Sequence, residues 1–112
     1  MNISGEIRYF LGEGDYAQLK FTESRTSFSI DIVMVPSLHR NKGVGTILME
    51  RVLVLADRMN KEIFLSARPI GNNSEEQLSR LVGYYKRFGF SVLDNGFTTV
   101  YMVRKTEGAR QG

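Results

Sequence analysis

The apolar residues change their spacing twice between residues 26 and 67, and this change constrains the fold strongly. Residues 26–35 alternate as a strand does, residues 43–60 repeat at the three- and four-residue steps of a helix, and residues 63–67 form a short apolar run. A strand, a helix and a strand in this order predict a parallel crossover unit. The second strand is therefore expected to lie beside the first in a parallel pair.

The segments on either side of this unit predict antiparallel strands. Residues 3–11 and 16–22 are rich in aromatic and β-branched residues, and short polar turns separate them from each other and from residues 26–35. A capping-box pattern at residues 74–77 opens a second helix that runs to residue 88. Residues 90–93 and 98–104 predict a hairpin joined at Asp94, Asn95 and Gly96. The prediction is an α+β fold: a mixed sheet of about six strands with two helices, an antiparallel N-terminal meander, one parallel strand-helix-strand unit and a C-terminal hairpin.

The length and the composition narrow the chemistry that the chain can perform. Its 112 residues are enough for one domain, predicted at residues 1–104, with a tail at 105–112 that is poor in apolar residues and expected to be disordered. The chain has no cysteine, which excludes disulfides, thiolate metal sites and a cysteine thioester intermediate. The single histidine, His39, excludes a histidine-rich metal site, so no metal is expected.

The charge balance and the apolar runs indicate the kind of partner and the location. Fifteen basic and twelve acidic residues give a net charge of +3, which favours an anionic ligand but is too small to indicate nucleic acid. The first ten residues carry Glu6 and Arg8 and do not follow the pattern of a signal peptide. The longest apolar run, residues 52–56, is too short to cross a bilayer. These features predict a cytoplasmic protein that binds neither nucleic acid nor a membrane.

The junction between the third strand and the first helix, residues 35–45, holds the most informative group of residues. Gly43 and Gly45 let a ligand approach the backbone where the first-turn N–H groups are unpaired and the helix dipole is positive. Arg40 and Lys42 add charge that suits phosphate oxygens. A pyrophosphate matches this junction, and a helix cap with basic surface residues is the simpler alternative. The patterns of a nucleotide phosphate loop and of a dinucleotide site are both absent.

Two short motifs carry a family resemblance. Residues 40–45, Arg-Asn-Lys-Gly-Val-Gly, lie at the strand-to-helix junction, and residues 84–90, Tyr-Tyr-Lys-Arg-Phe-Gly-Phe, end the second helix. They resemble the R/Q-x-x-G-x-G/A signature and the late tyrosine motif of the GCN5-related N-acetyltransferases, the GNAT family. The resemblance covers about residues 26–104 and is to a short form of the family, because the first 26 residues predict strands where typical members have two helices.

The resemblance implies the transfer of an acetyl group from acetyl-CoA to an amine by direct attack in a ternary complex. The pantetheine arm would lie along residues 32–35 and the pyrophosphate against the glycine-containing junction. The cofactor-binding residues that it implies are Met34, Val35, Arg40, Asn41, Lys42, Gly43, Val44, Gly45 and Thr46. Tyr85 falls on the family's tyrosine, which protonates the departing CoA thiolate. A core tyrosine that fills the buried face of the helix is the alternative. Tyr84 lies one helical step, about 100°, away, so only one of the two tyrosines can point into the cleft.

The base that takes a proton from the amine is expected on the third strand. Simple alternation puts Asp31 on the face of Val33 and Val35, where its carboxylate would be buried. The alternatives are that Asp31 is a solvated strand residue, and that His39 or an ordered water acts as the base. Asp31 and Tyr85 are accordingly the two catalytic candidates.

Without the two N-terminal helices, which build much of the acceptor site in typical members, the acceptor cleft is expected to be open. An open cleft suits a lysine or the N terminus of a protein better than an enclosed metabolite, and a second subunit could complete it in a homodimer. Short phage proteins that acetylate a lysine of a host defence nuclease have a similar reduced plan and a similar third strand. The alternative functions are such a phage-type enzyme and a catalytically silent acyl-CoA-binding or regulatory module.

Overall fold

The computed structural model describes residues 2–40, 42–68, 75–96 and 98–106. Asn41, the predicted capping residue Ser74 and residues 107–112 of the predicted tail lie outside them. The strands and helices are β1 (Ile3–Gly12), β2 (Asp15–Glu23), β3 (Ser27–Met34), α1 (Val44–Met59), β4 (Glu62–Ala67), α2 (Glu75–Lys86), β5 (Ser91–Asn95) and β6 (Val100–Arg104). A short 3₁₀ turn at Ser37–His39 precedes α1. Among the described residues no helix is long and apolar enough to span a membrane.

The six strands form one mixed sheet in the order β1-β2-β3-β4-β6-β5. β3 and β4 are the parallel pair, and the other neighbours are antiparallel. The predicted α+β architecture is therefore confirmed, including the crossover through α1. The predicted hairpin turn lies too early, because Asp94 and Asn95 belong to β5.

Both helices pack on one face of the sheet. The buried residues of α1 recur at helical spacing and lie against β1, β2 and β3: they are Val44, Leu48, Met49, Val52 and Ala56. α2 lies against β4, and its apolar residues pack on the same core. The Tyr84 hydroxyl on α2 and the Thr46 hydroxyl on α1 are 2.9 Å apart and hydrogen-bonded, which joins the two helices.

The opposite face of the sheet is not covered by a helix over the residues that the structure describes. On β2, Ala17, Leu19 and Phe21 are buried beneath the helices, and the residues between them point to the open face. Exposed apolar side chains accumulate on that face, where Ile32 is 44% and Met34 51% exposed. This open face matches the expectation of a fold without acceptor-side helices.

The parallel pairing of β3 and β4 is short. Three residue pairs join the strands, and the last of them is Ser29 with Phe64. The β2–β3 register then shifts, because Phe21 pairs with Ile30 whereas Lys20 pairs with Ile32. Asp31 is the extra residue of this β-bulge, and a bulge bends its strand and increases its twist. Beyond the bulge, β3 and β4 have no further residue pairs between them.

A buried arginine joins β6, α1 and the turn after α2. The Arg104 guanidinium donates to both carboxylate oxygens of Asp57 at 2.8 and 3.0 Å, and its Nε donates to the carbonyl oxygen of Phe88 at 3.0 Å. The Arg104 side chain is 8% exposed and that of Asp57 37%. A bidentate contact to a shielded guanidinium is among the stronger ion pairs in proteins.

We expect Asp57→Ala to lower the free energy of unfolding by about 2 kcal/mol, because the shielded guanidinium loses its carboxylate. Urea unfolding followed by circular dichroism measures this loss. Glu76→Ala is the matched control, since it removes a carboxylate from the Glu76–Arg80 pair, whose side chains are about three-quarters exposed. The control should cost less than about 0.5 kcal/mol. Equal losses in the two variants would contradict the structural role of Arg104.

Candidate active site

A cavity of about 920 Å³ lies where the end of β3, the first turn of α1 and the middle of α2 meet. Seven of the predicted cofactor-binding residues line it: Met34, Val35, Arg40, Gly43, Val44, Gly45 and Thr46. Tyr16 and Gln18 on β2 and Leu81 and Tyr84 on α2 complete much of the remaining wall. The structure therefore brings most of the predicted residues together around one space.

The first turn of α1 presents an open backbone to this cavity. Gly43 precedes the helix with φ +80°, a left-handed conformation that favours glycine, and no side chain caps the helix. The first N–H bond at this end of the helix runs from Ile47 to the Gly43 carbonyl oxygen, so the amides that precede Ile47 in the first turn have no partner within the helix. A Cβ built on Gly43 or Gly45 meets no heavy atom within 4 Å. This turn can therefore receive an anion at close range.

The basic residues of the junction differ in position. Arg40 lines the cavity, and its Nε donates to the carbonyl oxygen of Val35 at 3.1 Å, which holds the guanidinium beside the end of β3. His39 also lines the cavity. Lys42 is exposed and is not one of the lining residues, and Asn41 lies outside the described residues. Of the two cations predicted to attract phosphate, Arg40 is thus the one that borders the cavity.

The two adjacent tyrosines of α2 have different surroundings. Tyr84 lines the cavity and is hydrogen-bonded to Thr46 in the first turn of α1. Tyr85 packs toward the core, with its ring centroid 6.0 Å from that of Phe90, and lines neither described cavity. Burial, and to a lesser extent the neighbouring Tyr84, raise the pKa of the Tyr85 phenol. The sequence analysis did not assign Tyr84 to the site. Tyr84 follows Leu81 by three residues on α2, so the two share a face of the helix, and both line the cavity.

Asp31 lies in a different place from the one that alternation predicts. The bulge shifts the register by one residue, so Asp31 is exposed instead of sharing the partly buried face of Val33 and Val35. The prediction that its carboxylate is buried on that face is therefore wrong, for the reason that strict alternation ends at a bulge. The Thr22 hydroxyl donates to the Asp31 Oδ2 at 2.7 Å.

A second cavity, of about 560 Å³, lies between the diverging strands and contains Asp31. β3 supplies residues 29–31 to this cavity and residues 32–35 to the first, so the two cavities follow each other along one strand. The β5–β6 hairpin adds Leu93, Asp94 and Tyr101. Sequence reasoning missed these three residues, because it placed Asp94 in a turn and had no signal for the other two.

Among the described residues no group of three or more metal-ligating side chains is found. Arg40 is the cation among the described residues that line the first cavity, and His39 lines the same cavity. The first cavity can therefore take an anionic ligand at the first turn of α1, and the second can take another reactant next to it along β3.

No protein-family model and no curated protein matches the chain. Several solved structures do. The anti-CRISPR protein AcrVA5 is 20% identical with a TM-score of 0.67, over 89% of this chain and 96% of that one. An acyl-CoA N-acyltransferase from Pseudomonas aeruginosa is 25% identical with a TM-score of 0.72, over 90% of this chain and 67% of that one. A protein from Bacteroides thetaiotaomicron assigned to the GNAT family of acetyltransferases is 17% identical with a TM-score of 0.67, over 96% of this chain and 65% of that one.

Several of the similar structures are described as acetyltransferases or acyltransferases, and they support the prediction of an acetyl-CoA-dependent acyltransferase. At identities of 25% and below, what the proteins share is the arrangement of strands and helices. With its six-stranded mixed sheet and its two helices on one face, the chain has the fold of the GCN5-related N-acetyltransferases, which confirms the resemblance that its motifs predict.

Proposed function

We propose that the chain is an N-acetyltransferase that moves an acetyl group from acetyl-CoA directly to an amine of a protein. The observation that carries this proposal is the first cavity, which ends on the uncapped first turn of α1. Gly43 and Gly45 leave space there for a phosphate group, and Arg40 supplies a cation beside it. A pyrophosphate is the part of acetyl-CoA that these groups suit.

The free edge of β3 supports the same assignment for the pantetheine arm. The β3–β4 ladder ends at Ser29, while Ile32, Val33 and Met34 remain paired with β2 on their other side. Backbone groups on the β4 side of these residues therefore need partners, and the amides of a pantetheine arm can supply them. Met34 and Val35 border this edge and line the first cavity.

Bound acetyl-CoA supplies an acetyl thioester, which reacts readily with an unprotonated amine. Asp31 accepts the first proton of the acceptor ammonium and passes it to solvent, with Thr22 holding its carboxylate. A tyrosine hydroxyl of α2 donates a proton to the sulfur as the carbon–sulfur bond breaks and the carbon–nitrogen bond forms, and it regains the second proton of the amine. The motif assigns this role to Tyr85, which packs toward the core, whereas Tyr84 is the tyrosine that lines the first cavity, and the kinetics of both variants decide between them. The products are an amide, free CoA and one proton. No cysteine is present to form an acetyl-enzyme, so direct transfer is the simplest route.

A phage-type role is a second candidate, and one observation favours it. The chain covers 96% of the anti-CRISPR protein AcrVA5 but only about two thirds of the acyl-CoA N-acyltransferase from Pseudomonas aeruginosa. On this alternative the acceptor is a lysine of a host defence protein in the bacterial cytoplasm. The two candidates share the reaction and differ in the acceptor protein.

We expect Gly43→Glu to weaken acetyl-CoA binding at least about tenfold, because the new side chain places a negative charge where the pyrophosphate is proposed to lie. Gly14→Glu is the matched control: Gly14 has φ +84°, meets no atom within 4 Å at its Cβ, and does not line the first cavity. Isothermal titration calorimetry measures the binding, and labelled acetyl-CoA in a cell lysate measures transfer to protein.

Three outcomes would overturn parts of this proposal. If the wild-type protein does not bind acetyl-CoA, the proposed function is wrong. If it binds acetyl-CoA but labels no protein, the chain is a silent acyl-CoA-binding module. If Gly14→Glu weakens binding as much as Gly43→Glu, the effect comes from backbone strain and the pyrophosphate site is misplaced.

Substitutions of the two tyrosines should have different effects on kcat and on acetyl-CoA affinity. Tyr85→Phe is expected to lower kcat about 100-fold with little change in acetyl-CoA affinity, because it removes the proposed acid. Tyr84→Phe is expected to raise the acetyl-CoA Kd about threefold to tenfold with kcat nearly unchanged, because it releases Thr46 at the first turn of α1. Steady-state kinetics and calorimetry of the two variants make the comparison. A loss of kcat in Tyr84→Phe alone would transfer the acid role to Tyr84.

A further inference from the structure

The second cavity follows the first along β3 and differs from it in the elements that it reaches. Its exposed walls, which include Ser29, Asp31 and Tyr101, come from the sheet face opposite α1 and α2, and none of its described lining residues belongs to a helix. The first cavity takes Gln18 and Met34 from the same open face and also extends to the first turn of α1 and to α2. A reactant in each would meet the other where the two cavities adjoin along β3.

The charge of the second cavity is opposite to that of the protein. The chain carries a net charge of +3, yet the ionised side chains among the described lining residues are the two carboxylates Asp31 and Asp94. The first cavity, in contrast, is bordered by Arg40. The second cavity therefore favours a cation, and the first cavity favours an anion.

The apolar walls of the second cavity indicate which kind of cation it suits. Leu93 is 60% and Tyr101 46% exposed, and both line the cavity together with the partly buried Phe64. A lysine side chain has four methylene groups that can lie on such surfaces while its ammonium group reaches the carboxylates. An α-amine has no comparable apolar stem. No described helix covers this face, so the segment that carries the lysine can belong to a large folded protein.

Asp94 is placed in this cavity by a local irregularity of the hairpin. The β5–β6 register shifts between Val92, which pairs with Met102, and Asp94, which pairs with Tyr101. The extra residue, Leu93, and the following Asp94 both line the cavity as a result. The bulges at Asp31 and at Leu93 thus border the same space from its two sides.

We propose that this second cavity binds a lysine side chain of a protein acceptor, preferentially in a basic segment, and that Asp94 determines this preference. The inference rests on the proposed acetyltransferase function and names its acceptor. Asp31 faces the amine as the base, and Asp94 holds the cationic segment from the hairpin side. Asp94 is a specificity-determining residue, so its removal should affect acceptor affinity and leave the donor site unchanged.

Three synthetic peptides test the proposal: one with a central lysine between arginines, one with a central lysine between glutamates, both blocked at the N terminus, and one without lysine but with a free N terminus. We expect kcat/KM to be highest for the basic lysine peptide. Asp94→Asn should lower it about fivefold to tenfold through KM. Asp94→Lys should reverse the preference between the two lysine peptides.

A binding measurement supplies a readout that does not depend on turnover. Fluorescence anisotropy of the labelled basic peptide should show binding that weakens with salt and in Asp94→Asn. Glu50→Gln is the matched control, because Glu50 is exposed on α1 and lines neither cavity. This variant should bind the peptide as the wild type does, and all variants should bind acetyl-CoA with unchanged affinity.

The outcomes separate the inference from the proposed function. Preference for the peptide with the free N terminus, equal use of the two lysine peptides, or unchanged peptide affinity in Asp94→Asn would overturn the inference while the acetyltransferase function stands. Failure of the wild type to bind acetyl-CoA would overturn the proposed function itself. A loss of peptide affinity in Glu50→Gln equal to that in Asp94→Asn would show that net charge, and not the cavity, attracts the peptide.

Discussion

The parallel pairing of β3 and β4 ends after three residue pairs, and the site depends on the gap that follows. A continuous ladder would satisfy the backbone of both strands and close the sheet between them. The bulge at Asp31 accompanies the end of this pairing, and the first and second cavities lie on consecutive residues of β3 beyond and at this bulge. Both cavities border the same stretch of β3, so a ligand in one would lie close to a ligand in the other.

Two polar contacts hold the helices around this gap. The hydrogen bond between Thr46 and Tyr84 joins the first turn of α1 to α2 at the wall of the first cavity. At the other end of α1, Arg104 on β6 binds Asp57 and the carbonyl of Phe88 after α2. Since the core between them consists of apolar side chains, which pack without directional preference, these contacts fix how the helices are placed relative to the sheet.

The distribution of charge between the two cavities is more informative than the net charge of the protein. A net charge of +3 is small for a chain of 112 residues and by itself indicates little about the partners of the protein. In the structure Arg40 borders the first cavity, whereas Asp31 and Asp94 border the second. The cation and the carboxylates therefore lie in different cavities, which favour ligands of opposite charge.

The sequence by itself determined the strands, the helices and most of the predicted residues that line the first cavity. The spacing of apolar residues predicted all six strands and both helices to within about two residues, and the motif around Gly43 identified residues that line the first cavity, because alternation, helical period and a left-handed glycine are local properties. Only the tertiary structure decided the face of Asp31, the choice of Tyr84 over Tyr85 at the cavity wall, and the position of Asp94. A bulge shifts a strand by one residue, and the packing of α2 on the sheet sets which tyrosine turns outward. Both depend on contacts between distant parts of the chain, which a local pattern does not contain.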